Sequence, residues 1–374
     1  MVEPFSGSVR PVFSEEVAAR SQAESMIAAA YDADVNILIT GGAGFIGSHA
    51  VLGALEAGHT VICVDNLSRG HHSTITTLEA LAQPGCFTFV EGNINNGDLL
   101  ARAMHAHRVD AVMHFAALAY VGESVDEPIR YYRNNTAGTL SLLEAMDRTD
   151  VNRIIFSSSC ATYGEPDAEN IPISEDCPQR PVNPYGRSKL MAELMLRDCL
   201  AMRQARQQPF ACATLRYFNV AGCDPEARIG EVHDPETHLI PLTVMAALDS
   251  TRSLTIHGCD YDTPDGTCVR DYVHVTDLVA AHLRALEALE PKEHAWHAYN
   301  IGIGRGYSVR EVVESVQRVT GCKVKVVEGP RRPGDPPILF ADAQRAQQEL
   351  SWQPQRDSLE VMIEDTHRWL AKSR

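Results

Sequence analysis

The sequence predicts an α/β protein, a doubly wound parallel sheet followed by a smaller, mixed α/β lobe. Two observations carry this prediction. From Val35 to Asn219, short β-branched runs alternate with stretches of helical spacing, and after Asn219 that alternation lapses into turn-rich text such as Asp234-Pro235 and Thr263-Pro264-Asp265-Gly266.

The strand candidates are residues 36–40, 60–65, 87–91, 111–116, 153–159 and 211–219, and the helical ones are 47–57, 97–107, 134–148 and 185–203. Parallel strands need such crossovers, and the right-handed rule orders them. Residues 35–219 form the expected dinucleotide-binding unit and 220–374 the second lobe, rich in irregular structure. A strand-like run near 297–303 is placed to return the chain to the large sheet. Residues 1–34 carry several acids and no continuous apolar run, which argues against a secretory or transit signal. They are expected to be a mobile extension, and the cytoplasm is the expected address.

Composition excludes some functions. A net charge of -16 opposes binding to nucleic acid, whose affinity comes from Lys and Arg displacing counterions, although a local cluster of donors can still hold a small phosphorylated ligand. No apolar run is long enough for a membrane span. The ten cysteines are scattered without a CxxC pair and are expected to be buried free thiols in a reducing compartment. No metal-ligating set is assigned.

The run 35–40 leads into Gly41-Gly42-Ala43-Gly44-Phe45-Ile46-Gly47, a GxxGxxG pattern that opens a helix. Glycines permit the tight turn and let the backbone approach a pyrophosphate, while the helix N-terminus supplies amide donors. This is the Rossmann-type arrangement. The next strand ends at Asp65, where a carboxylate accepts hydrogen bonds from ribose hydroxyls and repels a 2'-phosphate. NAD is therefore expected over NADP, with Arg69 as the residue that argues the other way.

Tyr185 and Lys189 share one helix face after the entry Pro181-Val182-Asn183-Pro184. A phenol of pKa ~10 is a weak base, but a neighbouring ammonium and an oxidised nicotinamide both favour the phenolate. Alone, Tyr-x-x-x-Lys usually marks a solvated helix face; beside a dinucleotide site it gains meaning. Ser159 stands at the end of a strand, where this fold faces its ligand.

With these features in register, the chain resembles the extended short-chain dehydrogenase/reductases and, within them, NAD-dependent epimerases of the UDP-glucose 4-epimerase type. The resemblance rests on the glycine string through Ser48-His49, Asp65-Asn66-Leu67-Ser68, His114-Phe115-Ala116-Ala117, Val121-Gly122-Glu123-Ser124, Leu215-Arg216-Tyr217-Phe218-Asn219 and Val269-Arg270-Asp271-Tyr272. It implies that Ser159, Tyr185 and Lys189 are catalytic. It also implies that Gly41, Gly44, Phe45, Ile46, Gly47, Asp65, Asn66, Leu67, Ser68, Asn93, Ile94, Phe115, Ala116, Ala117, Asn134, Tyr185, Lys189 and Phe218 hold a tightly bound NAD. Ser159, Tyr185, Asn219, Leu239, Arg270, Arg332 and Asp335 would hold the UDP-sugar.

The implied reaction passes a hydride from C4 to NAD as Tyr185 takes the O4 proton. The 4-keto sugar then turns over and takes the hydride back on its other face. A homodimer through helices 134–148 and 185–203 is implied as well. Three positions depart from the usual pattern: Ala119 replaces a common Lys, Asn93 replaces an Asp, and Leu339 stands where the C2 substituent is limited, which disfavours N-acetylated sugars. The Ala119-Tyr120-Val121-Gly122 text leaves UDP-arabinose/UDP-xylose open beside UDP-glucose/UDP-galactose. Dehydratases and decarboxylases are disfavoured because Cys160 and Ala161, not an acid, follow Ser159. A non-catalytic NAD sensor is the rival of a different class, and it conflicts with the presence of both Tyr185 and Lys189.

Overall fold

The computed structural model describes residues 35–332 and 336–372; residues 1–34 and Asp335 lie outside the described residues.

The expected runs become β1 (Asn36–Thr40), β2 (Thr60–Asp65), β3 (Phe87–Glu91), β4 (Ala111–His114), β5 (Arg153–Ser157) and β6 (Phe210–Tyr217). Beyond them lie β7 (Asn219–Ala221), β8 (Leu254–His257), β9 (Val269–His274), β10 (His294–Ile301), β11 (Gly306–Ser308), β12 (Val326–Gly329) and β13 (Ile338–Leu339). The large sheet has seven strands in the order β10-β6-β5-β4-β1-β2-β3. Every pairing in it is parallel.

Alternation along β1 shows why the sheet is covered on both sides. Ile37 and Ile39 join a core shared with the helices Phe45–Glu56 and Val275–Ala288. Leu38 between them faces the opposite core, with the helices Gly97–Ala106, Gly138–Thr149 and Pro184–Ala205. A third core, including Val244, Ile256, Tyr272, Val312 and Met362, holds the later elements together.

Three strand ends differ from the sequence expectation, and each difference opens space at the same edge. β4 stops at His114; Phe115 still donates its N–H to the Thr40 carbonyl at 3.1 Å, but Ala116 donates to the Thr40 hydroxyl instead, at 3.3 Å. β5 stops at Ser157, and Ser159 caps a short turn, Cys160–Thr162, by accepting from the Ala161 N–H at 3.1 Å. The run 211–219 splits at Phe218, and Asn219–Ala221 pairs with β9 in a separate small sheet. The helical stretch 134–148 begins as a π-turn, Tyr132–Ala137. The helix His72–Leu81 was not foreseen, because it buries only Ile75 and Leu78.

The text after Asn219 is more regular than expected. It holds the helices Leu239–Leu248, Val275–Ala288, Val309–Thr320 and Leu359–Lys372. Their apolar faces bury against the third core and the large sheet, overriding the turn signals between them. The cysteines also differ: all ten are free, yet only five are buried and Cys322 is exposed.

Candidate active site

Strand order reverses between β1 and β4, whose neighbours lie on opposite sides. In open α/β sheets ligands bind outside the carboxyl ends of the strands at such a switch point. A large crevice opens there, and the glycine turn forms one wall.

The turn requires its glycines. Gly41 has φ +76°, and a Cβ on it would stand 2.6 Å from the Ala116 nitrogen; a Cβ on Gly47 would stand 2.1 Å from the Gly41 carbonyl oxygen. Gly44 starts the helix Phe45–Glu56 without a side-chain cap, leaving its N-terminal amides to face the crevice. Asp65, at the tip of β2, is buried and accepts from the Ala43 N–H at 3.0 Å and the Leu67 N–H at 2.8 Å. It thus braces the turn while lining the crevice, and each oxygen retains a lone pair that could accept a further donor. Burial raises its pKa and the backbone donors pull it down. Arg69 is already committed: its guanidinium pairs with Glu123, donates to the Asp234 carbonyl at 3.4 Å and lies 4.9 Å from the centre of the Tyr120 ring. The argument for a 2'-phosphate through Arg69 falls away.

Phe45, Ile46, Asn66, Ser68, Ile94, Phe115, Ala116, Ala117 and Asn134 all line this crevice. Asn93 lines an adjoining depression instead, with its side-chain oxygen held by Asn95. Leu67 is not a lining residue; it turns the chain at φ +55°. Behind the floor, buried His114 bonds the Thr40 hydroxyl at 2.6 Å and the Thr139 hydroxyl at 2.9 Å. Burial, reinforced by the Lys189 charge, lowers its pKa to about 3, so it stays neutral. Buried Asn135 clamps Leu118 through both backbone groups, at 2.9 and 3.0 Å, fixing the loop that follows β4.

On the facing wall, the helix Pro184–Ala205 starts with proline at its first position, and the Asn183 side chain accepts from the Gly186 N–H at 2.8 Å. That entry brings Tyr185 and Lys189 to the crevice, 8% and 4% exposed. The Lys189 ammonium donates to the Ser157 carbonyl at 2.7 Å and lies 5.1 Å from the Phe156 ring centre. Burial lowers its pKa to about 7, with Glu193 opposing. Burial pushes the Tyr185 phenol above its ordinary range, the Tyr217 phenol adds to this, and the Ser159 hydroxyl pulls it back. Protein groups alone therefore keep Tyr185 protonated. Behind these groups, Glu193 accepts from Ser158 at 2.6 Å and from two Arg216 nitrogens at 3.1 and 2.7 Å, and the Arg216 guanidinium reaches the Tyr163 hydroxyl at 2.9 Å.

Phe218, Asn219, Arg270 and Leu339 form the wall from the later elements. Two residues assigned to the sugar nucleotide stand apart from that lining: Leu239 begins the helix Leu239–Leu248 and packs on the third core, and Arg332 is exposed. Tyr217, Tyr120, His233 and His238 also line the crevice and were not anticipated. Tyr217 had a signal in its place in the string Arg216-Tyr217-Phe218-Asn219 at the end of β6, Tyr120 in the Ala119-Tyr120-Val121-Gly122 text, and the two histidines in the spacing of Glu231, His233, Glu236 and His238.

The model of the NAD dependent epimerase/dehydratase family matches residues 37–302. The chain belongs to this family. Among relatives, the UDP-glucose 4-epimerase of Halalkalibacterium halodurans is 46% identical over 333 residues, covering 89% of this chain and 95% of that protein. The probable UDP-arabinose 4-epimerase 1 of Oryza sativa subsp. japonica is 45% identical over 344 residues, covering 91% and 80%. Among solved structures, UDP-glucose 4-epimerase from Brucella ovis in complex with NAD superposes with a TM-score of 0.81 at 46% identity, covering 89% of this chain and 98% of that one. The matched residues 37–302 of this chain contain the large sheet, the glycine turn and the facing helix.

Proposed function

We propose that this protein is an NAD-dependent isomerase that inverts C4 of a UDP-linked sugar, with UDP-glucose and UDP-galactose as its main pair. The observation that carries the reading is the placement of Ser159, Tyr185 and Lys189 on one wall of the crevice that the glycine turn opens. The glycine turn fits a dinucleotide, since Gly41 and Gly47 allow a backbone packing too close for any Cβ, and that tight turn leads directly into the uncapped N-terminus of the helix Phe45–Glu56, which suits a pyrophosphate. NAD, when bound, supplies a reversible hydride acceptor and a positive ring beside the phenol.

The chain's own groups do the rest. Tyr185 takes the O4 proton and later returns it, Ser159 orients that hydroxyl, and Lys189 adds positive charge at the same wall. Arg270 supplies a guanidinium for the diphosphate, and Asn219 an amide for the sugar. Leu339 narrows the far wall, supporting discrimination against an N-acetyl group at C2. Among the described residues no helix is long and apolar enough to cross a membrane. A homodimer fits the exposure of Leu140, Met191 and Leu194 on two packed helices, Gly138–Thr149 and Pro184–Ala205.

The test is an NMR assay of the purified protein with UDP-glucose, UDP-galactose, UDP-arabinose and UDP-xylose. Interconversion of the hexose pair, faster than the pentose pair, is the expected result. Turnover confined to the pentoses would reassign the substrate, and none with any of the four would overturn the reading.

A further inference from the structure

One group of side chains beside the crevice has no part in the chemistry above. Between Ala221 and the helix Leu239–Leu248 the chain carries Glu231, His233, Glu236 and His238, in the pattern Glu-x-His-x-x-Glu-x-His. The loop brings one ligand-type atom from each of the four to within 4.8 Å of all the others. The nearest separations are even: His238 Nδ1 lies 2.8 Å from a Glu231 oxygen and 2.9 Å from a Glu236 oxygen, and His233 Nδ1 lies 3.1 and 3.4 Å from the same two carboxylates. A tetrahedral ion with ligand distances of ~2.0–2.1 Å sets its ligands about 3.3 Å apart. The set is close to that spacing before any ion draws it in.

A second observation points to a ligand. The Glu231 side chain is 2% exposed, and neither carboxylate oxygen has a hydrogen bond of acceptable geometry; buried His233 Nδ1 has none either. A buried carboxylate lacking donors is costly unless a cation meets it. Two carboxylates and two neutral imidazoles carry a charge of about -2, which a divalent ion cancels.

We propose that Glu231, His233, Glu236 and His238 form a closed, four-ligand site for a divalent transition-metal ion, zinc in the first instance. The site is structural, because all four positions of a tetrahedral ion are filled by the protein and none is left for substrate. Its effect is to pin the loop 231–238. That loop forms part of the crevice wall: His233 packs edge-on against Phe45 at the glycine turn and against Tyr120, and Tyr120 donates to the Pro235 carbonyl at 3.2 Å.

The experiment uses the untagged full chain, stripped with chelator, dialysed and titrated with Co(II) and then Zn(II). The expected result is about one Co(II) per chain, with visible d–d bands of a tetrahedral nitrogen/oxygen site, no sulfur charge-transfer band, and displacement by one equivalent of Zn(II). Zn(II) should also raise the thermal midpoint, and chelator should reverse the rise. In His233→Gln and Glu236→Gln the bands should be lost while the circular dichroism spectrum is retained. Three outcomes overturn the proposal: no tetrahedral spectrum in the wild-type chain, bands carrying sulfur charge transfer, or bands unchanged in both variants. The wild-type spectrum decides even where a variant fails to fold.

Discussion

The Lys189 ammonium donates to the carbonyl of Ser157, 32 residues earlier, at 2.7 Å. The bond ties the helix that carries the tyrosine to the end of the strand that leads to Ser159, so a buried side chain of the proposed catalytic set is itself anchored on the backbone that positions another member. Its cost is a buried positive charge.

That cost makes a pH prediction. The Lys189 pKa falls from 10.5 to about 7 on folding, through burial. Between these values the unfolded chain binds more protons than the folded one, so this residue's contribution to stability grows as pH rises from about 7 toward 10.5 and is lost as pH falls through about 7. Urea unfolding of wild type and Lys189→Met across that range should show wild type gaining on the variant with rising pH. A pH-independent difference would mean that the lysine keeps its ordinary pKa.

Tyr185→Phe removes one oxygen from a residue that is 8% exposed and should leave the fold intact. Turnover on UDP-galactose should fall by at least ~10², the usual loss for a general acid/base. Near wild-type turnover would remove Tyr185 from the mechanism.

Gly47→Ala places a Cβ 2.1 Å from the Gly41 carbonyl oxygen, inside the turn that faces the pyrophosphate. The purified wild type should carry NAD through gel filtration, read by its absorbance after denaturation, and the variant should lose it. Asp65→Ala should weaken retention too, since it frees the Ala43 and Leu67 N–H groups.

Arg216→Met should be costly for stability. It strands the Glu193 carboxylate, 1% exposed, without its guanidinium partner, and losing one member of a buried pair costs roughly 3–5 kcal/mol. The denaturant midpoint should drop accordingly; a loss of less than about 1 kcal/mol would show that Ser158 and Gln179 satisfy the carboxylate unaided.

Leu140→Glu and Leu194→Glu alter two exposed apolar side chains on packed helices. If those helices form a symmetric interface, light scattering should give a dimer for wild type and a monomer for the double variant.

Much of the large sheet was legible because its strands are read by local rules. β1 and β2 are β-branched runs bounded by turn residues, and burial on both faces does not change that pattern. The glycine turn, Asp65 and the entry to the helix Pro184–Ala205 follow equally local rules. What was missed depends on distant partners. Nothing local says that Arg216 is buried; its pairing with Glu193 and Tyr163 does. Nothing local says that Leu239, which the family resemblance assigns to the sugar nucleotide, also packs on the third core. The Glu231–His238 cluster had a regular sequence signal, but a loop with charges is ordinarily solvated, and only folding brings its four side chains to one point.

One of the two outer strands of the large sheet, β10, is supplied by residues 294–301 and lies in parallel beside β6 along its whole length, from Phe210 to Tyr217. During synthesis the ribosome must therefore deliver about four-fifths of the polypeptide before β6 acquires its second neighbour. Until then β6 is an open, apolar edge, the kind of template on which nascent chains associate. A fragment ending near residue 220 would keep that edge permanently, so cutting out the nucleotide-binding half should give an aggregating product rather than a free-standing module.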